Sequence, residues 1–271
     1  MCSADGTVIG YRTVGTGPAL LIVPGALAVA ADYDALAVAL AERFTVHTVE
    51  RRGRGTSGPQ GDAYGADAEA ADIEAVRAAT GARFVVAQSF GAFVTLEAAL
   101  AGSAFERMAL YEPGVCIDGS VPFGWADECL RHLDAGNPAE AFLAFVQGIN
   151  PESSGKAPRW LLRLIIPLAI KKPERLRKYA LLRGTIREHR ESSRRDGDYA
   201  KYAAISTPTL LMAGKGVKNT GAGRTTVRLK DVLPVSELVV YPKLDHFGPE
   251  NSPTTIAPAL TAFFLPDPHG T

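Results

Sequence analysis

A doubly wound, mostly parallel α/β sheet interrupted by one helical insertion is the architecture that the 271-residue sequence predicts. Three observations lead to it. Short β-branched apolar runs alternate with amphipathic stretches through the first part of the chain, the same alternation resumes near Thr207, and the segment between is helical in pattern with no convincing strand. Strands separated by helices pair in parallel through right-handed crossovers, and such sheets bind ligands beyond the carboxyl ends of their strands. The chain therefore divides into an α/β core, 1–113 and 206–271, and an inserted helical cap, 114–205.

The first strand is expected at Ala19–Val23, a buried run ended by Pro24-Gly25. A helix follows over 31–43, where Tyr33, Leu36 and Leu40 recur at helical spacing. Thr45–Glu50 reads as the second strand and 66–79 as the second helix. Residues 83–87 form a third strand that runs directly into a helical stretch, 90–100. A fourth strand, 108–111, is stopped by Glu112-Pro113-Gly114. Beyond the insertion, Thr209–Ala213 and 238–241 read as strands, with helices over 222–232 and 253–264.

Composition narrows the function classes. Apolar residues make up 46% of the chain, enough for a sizeable core and too many for disorder. The charges balance, 29 Lys plus Arg against 29 Asp plus Glu, so net charge gives no reason to expect nucleic acid as a partner. Roughly half of the cations fall in the insertion, among them Lys171, Lys172, Arg175, Arg177 and Lys178, a run that reads as a solvated face. Cys2, Cys116 and Cys129 are too few and too scattered for a disulfide framework or a zinc site, and an odd count fits a reducing compartment. No apolar run approaches the ~20 residues that span a bilayer, and the N-terminus lacks the basic start and apolar stretch of a secretory signal. The expectation is a cytoplasmic protein that acts on a small molecule without cofactor or metal, with a homodimer allowed.

The most informative stretch is Phe84-Val85-Val86-Ala87-Gln88-Ser89-Phe90-Gly91-Ala92-Phe93. A buried strand ends in small-x-Ser-x-Gly and a helix starts at once, the context of a nucleophile elbow. So tight a turn needs small residues two before and two after the serine, and Ala87 and Gly91 supply them. The serine hydroxyl is then pushed out beyond the sheet, above a helix N-terminus whose amides and dipole favour negative charge. The plainer alternative is a serine that merely caps the helix.

Around this elbow the sequence resembles the α/β-hydrolase superfamily over essentially its whole length. Val23-Pro24-Gly25-Ala26 looks like the family's His-Gly-x oxyanion loop, with Pro24 in place of the usual His. The segment Glu50-Arg51-Arg52-Gly53-Arg54-Gly55-Thr56-Ser57 is similar to the Asp-x-Arg-Gly-x-Gly-x-Ser motif. Residues 87–91 match the elbow, with Ala87 for the usual Gly, and Asp245-His246-Phe247 looks like the closing Gly-His stretch. The resemblance implies oxyanion donors at the amides of Ala26 and Phe90, and a cap in the inserted region.

Serine at neutral pH needs an imidazole to take its proton. His47 lies inside a strand, His132 and His189 fall on charged helices of the insertion, and His269 is in the tail. Only His246 follows a strand in a loop at the place the family pattern requires. The orienting acid is less direct. Most family members carry an Asp after the strand that follows the cap, but Ala213-Gly214-Lys215-Gly216-Val217-Lys218-Asn219 holds no carboxylate. Some members place the acid after the preceding strand, where Glu112 stands; Asp245, next to the histidine, is the second candidate. Dehalogenase or epoxide hydrolase chemistry is disfavoured, because their nucleophile is an Asp and Ser89 occupies that position.

Gly53-Arg54-Gly55-Thr56-Ser57-Gly58 also matches the dinucleotide fingerprint, but Gly58-Pro59-Gln60-Gly61 follows where that motif needs a helix to open, which argues against a dehydrogenase. In the insertion, the apolar run 160–170 is too short to cross a membrane and contains Pro167. It is a packed helix whose inner face, through Trp160 and Leu164, is expected to line an apolar substrate pocket with Phe123, Trp125, Phe142 and Phe145. The expected function is serine hydrolysis of an ester, thioester or lactone through an acyl-enzyme. A lyase, a cyclase or a small-molecule-binding pseudoenzyme on the same fold is the alternative.

Overall fold

The computed structural model of the chain describes residues 1–152 and 154–266, so His269 lies outside the described residues. Seven strands form one sheet: β1 (Gly10–Val14), β2 (Ala19–Val23), β3 (Thr45–Glu50), β4 (Phe84–Gln88), β5 (Arg107–Tyr111), β6 (Thr209–Ala213) and β7 (Ser236–Val240). They lie in the order β1-β3-β2-β4-β5-β6-β7, with β1 antiparallel to β3 and every other pairing parallel. This is the fold class that the sequence predicts. Helices α1 (Asp34–Leu40), α2 (Ala66–Thr80) and α3 (Phe90–Leu100) connect the first strands. Between β5 and β6 come α4 (Ala126–Asp134), α5 (Pro138–Ile149), α6 (Arg159–Ala169) and α7 (Lys172–Ser193), with no strand among the described residues. Helices α8 (Gly221–Val232), α9 (Gly248–Asn251) and α10 (Pro253–Phe264) complete the chain.

The central strands are apolar along their length because both faces are covered. Leu21, Val23, Val85, Ala87, Leu110 and Leu211 pack with residues of α2, α3 and α8, while Leu20, Ile22, Val86, Ala109 and Met212 pack with α1 and α10. The alternation is the two-residue period of a strand. The sequence reading has no counterpart for β1, an edge strand whose side chains are mostly exposed and which therefore carries no apolar run. The helix expected over 31–43 is shorter, a tight turn at Ala30–Tyr33 leading into α1.

The topology concentrates strand ends at one place. From β2 the chain moves outward to β3, then returns to the other side of β2 for β4, so a crevice opens beyond the ends of β2 and β4. Register aligns those ends: Val23 faces Ala87, and Gln88 faces Tyr111. The ladder continues one step past the strands, with Ser89 N–H donating to Tyr111 O (3.0 Å) and Glu112 N–H to Met212 O (2.9 Å). Here the backbone is also strained. Leu27, Ser89 and Glu112 take positive φ of 56°, 52° and 43°, a region L-residues rarely occupy, and all three lie just beyond β2, β4 and β5.

The close approach of β2's loop to the elbow depends on Gly91. A Cβ there would sit 2.4 Å from Pro24 O and 2.5 Å from Val23 O, both backbone atoms that cannot swing aside. Gly91→Ala is therefore expected to lower stability by ~1–3 kcal/mol, as overpacking does, and to lower the midpoint of thermal unfolding. An unchanged midpoint would show that the loop yields.

Candidate active site

Ser89 stands at the N-cap position of α3 with φ 52° and ψ −122°, yet its side chain makes no capping hydrogen bond. The hydroxyl is thus not consumed by the helix, which removes the plainer reading of this serine. Phe90, the first residue of α3, is buried. Opposite lies the loop after β2, where Gly25 is so close that a Cβ on it would be 3.3 Å from Ser89 Cβ. Among the described residues, no backbone carbonyl accepts a hydrogen bond from the Ala26 amide.

His246 comes from the loop after β7, and several bonds hold that loop to the strand ends. Tyr111 Oη donates to Asp245 O (2.6 Å), and Gln88 Nε2 donates to His246 O (2.6 Å). The Asp245 carboxylate accepts from Phe247 N–H (2.9 Å), which makes it part of the turn. Glu112 is the carboxylate that meets the imidazole: its Oε2 lies 2.6 Å from His246 Nδ1, and its Oε1 accepts from Gly214 N–H (2.8 Å). Burial pushes the Glu112 carboxyl up, but the bond to His246, its charge and the Gly214 amide outweigh burial and hold it below its ordinary value. Burial lowers the His246 imidazole, and the Glu112 bond and charge overcome this to raise it above its ordinary value.

A buried ionic cluster braces the other wall. The Arg51 guanidinium forms a two-bonded pair with Glu69 (2.7 Å each), donates to Gly25 O (3.0 Å), contacts Glu188 (3.2 Å) and lies 4.7 Å from the centre of the Phe90 ring. Arg54 donates to Ala28 O (2.8 Å) and to Glu188 (2.6 Å). Glu188 belongs to α7, so the inserted helices are tied through these charges to the loop after β2. The segment 53–58, which matches a dinucleotide fingerprint on paper, instead turns back on the sheet: Gly53 N–H donates to Gly58 O (2.7 Å), and α2 opens only at Ala66.

Above this floor Phe123, Trp125, Phe142 and Phe145 form an aromatic cluster in which Trp125 and Phe145 meet edge to face at 4.9 Å. Leu27, next to Ala26, packs into the same cluster. Trp160 and Leu164 do not join it. They are 62% and 61% exposed, and α6 buries Leu162 and Ile166 instead. The helix is apolar on two faces, so sequence pattern alone does not say which one turns inward. The basic run likewise divides: Lys171 and Lys172 are exposed, but Lys178 is buried against Glu174. His189, expected on a charged helix, is buried, its ring against Trp125 and Phe145 and its Nδ1 2.9 Å from Thr185 O. Because a carbonyl can only accept, that Nδ1 carries a proton, and burial holds the ring below its ordinary value. No group of residues suited to a metal ion occurs among the described residues, and no described helix is long and apolar enough to cross a membrane.

The arrangement has relatives among known proteins. The model of the alpha/beta hydrolase family matches residues 20–259, and the chain belongs to that family. It is 27% identical to a 2-(acetamidomethylene)succinate hydrolase of Mesorhizobium japonicum over 94% of this chain and 91% of that one. An N-formylmaleamate deformylase of Pseudomonas putida is 32% identical over 59% of this chain, and the match spans 63% of the deformylase's own length. The crystal structure of an alpha/beta hydrolase from Sphaerobacter thermophilus is similar with a TM-score of 0.80 and 31% identity, covering 97% of this chain and 99% of that one.

Glu250, four residues beyond His246, is a titratable group that the sequence reading does not single out. Burial pushes its carboxyl up to about 7, against the pull of Lys178 and His246 and with the help of Asp32 and Glu174. The folded state thus holds this proton more tightly than the unfolded chain, so its effect is to reduce stability as pH rises from about 4.5 to about 7. Glu250→Gln, which mimics the protonated form, is expected to stabilise the protein at pH 8 by up to ~3 kcal/mol, with no difference near pH 4. Denaturant unfolding of both proteins at the two pH values measures this, and equal stability at pH 8 would refute it.

Proposed function

We propose that the protein is a serine hydrolase that cleaves a small acyl substrate through an acyl-enzyme. His246 takes the proton of Ser89, whose oxygen attacks the carbonyl. The amides of Ala26 and Phe90 hold the oxyanion, each such donor being typically worth ~2.7–4 kcal/mol in the transition state. Proton transfer from the imidazolium releases the leaving group, and water, activated by the same imidazole, frees the acyl group. Glu112 keeps Nδ1 protonated and balances the imidazolium charge.

The observation that carries this reading is the 2.6 Å contact between His246 Nδ1 and Glu112, in a loop bonded to the residue before an uncapped, strained Ser89. The contact leaves Nε2 as the free base. The Gly25 carbonyl is held by Arg51, and in a trans peptide this turns the Ala26 N–H the opposite way, away from the guanidinium. The bond is an ester, thioester or lactone by the sequence reading. The names of the deformylase and of the acetamidomethylene hydrolase support adding the C–N bond of an amide. The inserted helices act as a cap over the site, and Phe123, Trp125, Phe142 and Phe145 give the pocket an apolar wall. Three free cysteines suit a reducing, cytoplasmic setting.

Turnover of p-nitrophenyl esters and of N-formyl and N-acetyl amides by the wild type, and its loss by about 10³-fold or more in Ser89→Ala, is the expected result. Turnover that survives in Ser89→Ala would sink the reading, and inertness of the folded wild type would favour a lyase, a cyclase or a binding protein. With Glu112→Gln, kcat is expected to fall by roughly 10²–10⁴-fold, and the rising limb of the pH–rate profile to move to lower pH, because the charge that raises the imidazole is gone. A limb that stays in place would exclude Glu112 as the orienting acid.

A further inference from the structure

We propose that Tyr33 and Gln88 are positioning residues that form a hydrogen-bonded strut, fixing the oxyanion loop and the histidine loop relative to one another. This rests on the serine-hydrolase reading of the site. Tyr33 is the last residue of the turn that precedes α1 and is almost completely buried. Its hydroxyl accepts from Gly25 N–H (3.1 Å) and donates to Gln88 Oε1 (2.5 Å). Gln88, equally buried, passes the connection on: its Nε2 donates to His246 O (2.6 Å).

The direction of every bond is forced. The His246 carbonyl can only accept and the Gly25 N–H can only donate, so the Gln88 NH₂ faces His246 and the Tyr33 hydroxyl gives its proton to Gln88 Oε1. The chain of bonds therefore has one arrangement, from the peptide before Ala26 to the backbone of the base itself. Arg51 holds the other side of the same residue through Gly25 O (3.0 Å). Gly25 is thus pinned at both its N–H and its carbonyl. Burial pushes the Tyr33 phenol far above its ordinary value, so it stays protonated and able to donate over the working range of pH.

The strut touches no reacting atom. It bears on the chemistry because the oxyanion donor and the imidazole act together only in the transition state, and a displacement of about 1 Å from a remote change can cost 10²-fold in rate. Substrate binding in the ground state uses neither group in that way, so the loss belongs in kcat.

The test uses Tyr33→Phe, Gln88→Met and the double variant in the full chain, well below the midpoint of unfolding. Each single variant is expected to lower kcat by about 10–100-fold, with KM changed by less than about threefold, and to slow labelling of Ser89 by a fluorophosphonate to a similar degree. The double variant should resemble the worse single one, since either change breaks the same chain of bonds. The rising limb of the pH–rate profile should stay where it is in the wild type, because Glu112 is untouched; a merely structural loosening of the histidine loop would shift it. Unchanged kcat, losses that multiply in the double variant, or a shifted limb would overturn the strut. Should Gln88→Met fail to fold, Tyr33→Phe, which removes only the hydroxyl between Gly25 and Gln88, carries the same readings of kcat, KM and the pH–rate limb. A wild type whose turnover does not depend on Ser89 overturns the hydrolase reading and the strut with it, whereas Ser89-dependent turnover with unaffected variants overturns the strut alone.

Discussion

One buried guanidinium, that of Arg51, joins more of the molecule than any other group around the site. It pairs with Glu69 from α2, reaches Glu188 from the inserted α7, holds carbonyl oxygen in the loop after β2 and covers the ring of Phe90 at the head of α3. Burial works against its charge, and Glu188 and Glu69 reverse that effect, so the cation persists inside the protein. Such a group is costly to leave alone: removing one partner of a buried pair typically costs 3–5 kcal/mol, though the pair itself adds little net stability. Its value here is geometric. A single planar, five-donor group satisfies carbonyls and carboxylates from three segments at once, and so sets how the inserted helices sit on the loop after β2.

The same economy of contact runs through the strand ends. Parallel register sets Val23 beside Ala87 and Gln88 beside Tyr111, and regular strand pairing ends within a residue or so of these levels. Leu27, Ser89 and Glu112 adopt positive φ just there. The strain is tolerated because hydrogen bonds on either side leave little choice: Ser89 N–H and Glu112 N–H are both bonded into the neighbouring strand. Backbone that departs from regular structure while still fully bonded can present side chains at angles no strand or helix offers.

Much of this was legible in the sequence, for physical reasons that differ from element to element. The central strands β2, β4, β5 and β6 announce themselves because a sheet covered on both faces needs near-continuous apolar runs. Edge strand β1, with nearly every side chain in solvent, obeys no such requirement and passes unseen. Ser89 and His246 stand out through the tight steric demands of the elbow and the position of a loop after the last strand. Glu112 is reached through the family resemblance, which allows an acid after the strand before the cap when the stretch after β6 has no carboxylate. Trp160 and Leu164 mislead because α6 has apolar residues on both the packed and the exposed face. Tyr33 and Gln88 carry no signal of their own, as their roles exist only in a three-dimensional path between residues distant in the chain.

The first residue after β6 meets the histidine loop through backbone alone. Gly214, the first residue past β6, lies so close to the histidine loop that a Cβ on it would fall 2.6 Å from Leu244 O and 3.1 Å from Asp245 O. Lys215 N–H closes the gap further by donating to Leu244 O (2.7 Å). The loop after β6 therefore meets the histidine loop backbone to backbone, and at Gly214 there is no room for a side chain. What this loop contributes is its Gly214 amide, given to Glu112. One strand over, just past the end of β5, Glu112 takes its positive φ and its side chain meets the imidazole. The Glu112 carboxylate reaches the imidazole from the end of β5, and the glycine that leaves no room for a side chain at the end of β6 donates its amide to that carboxylate.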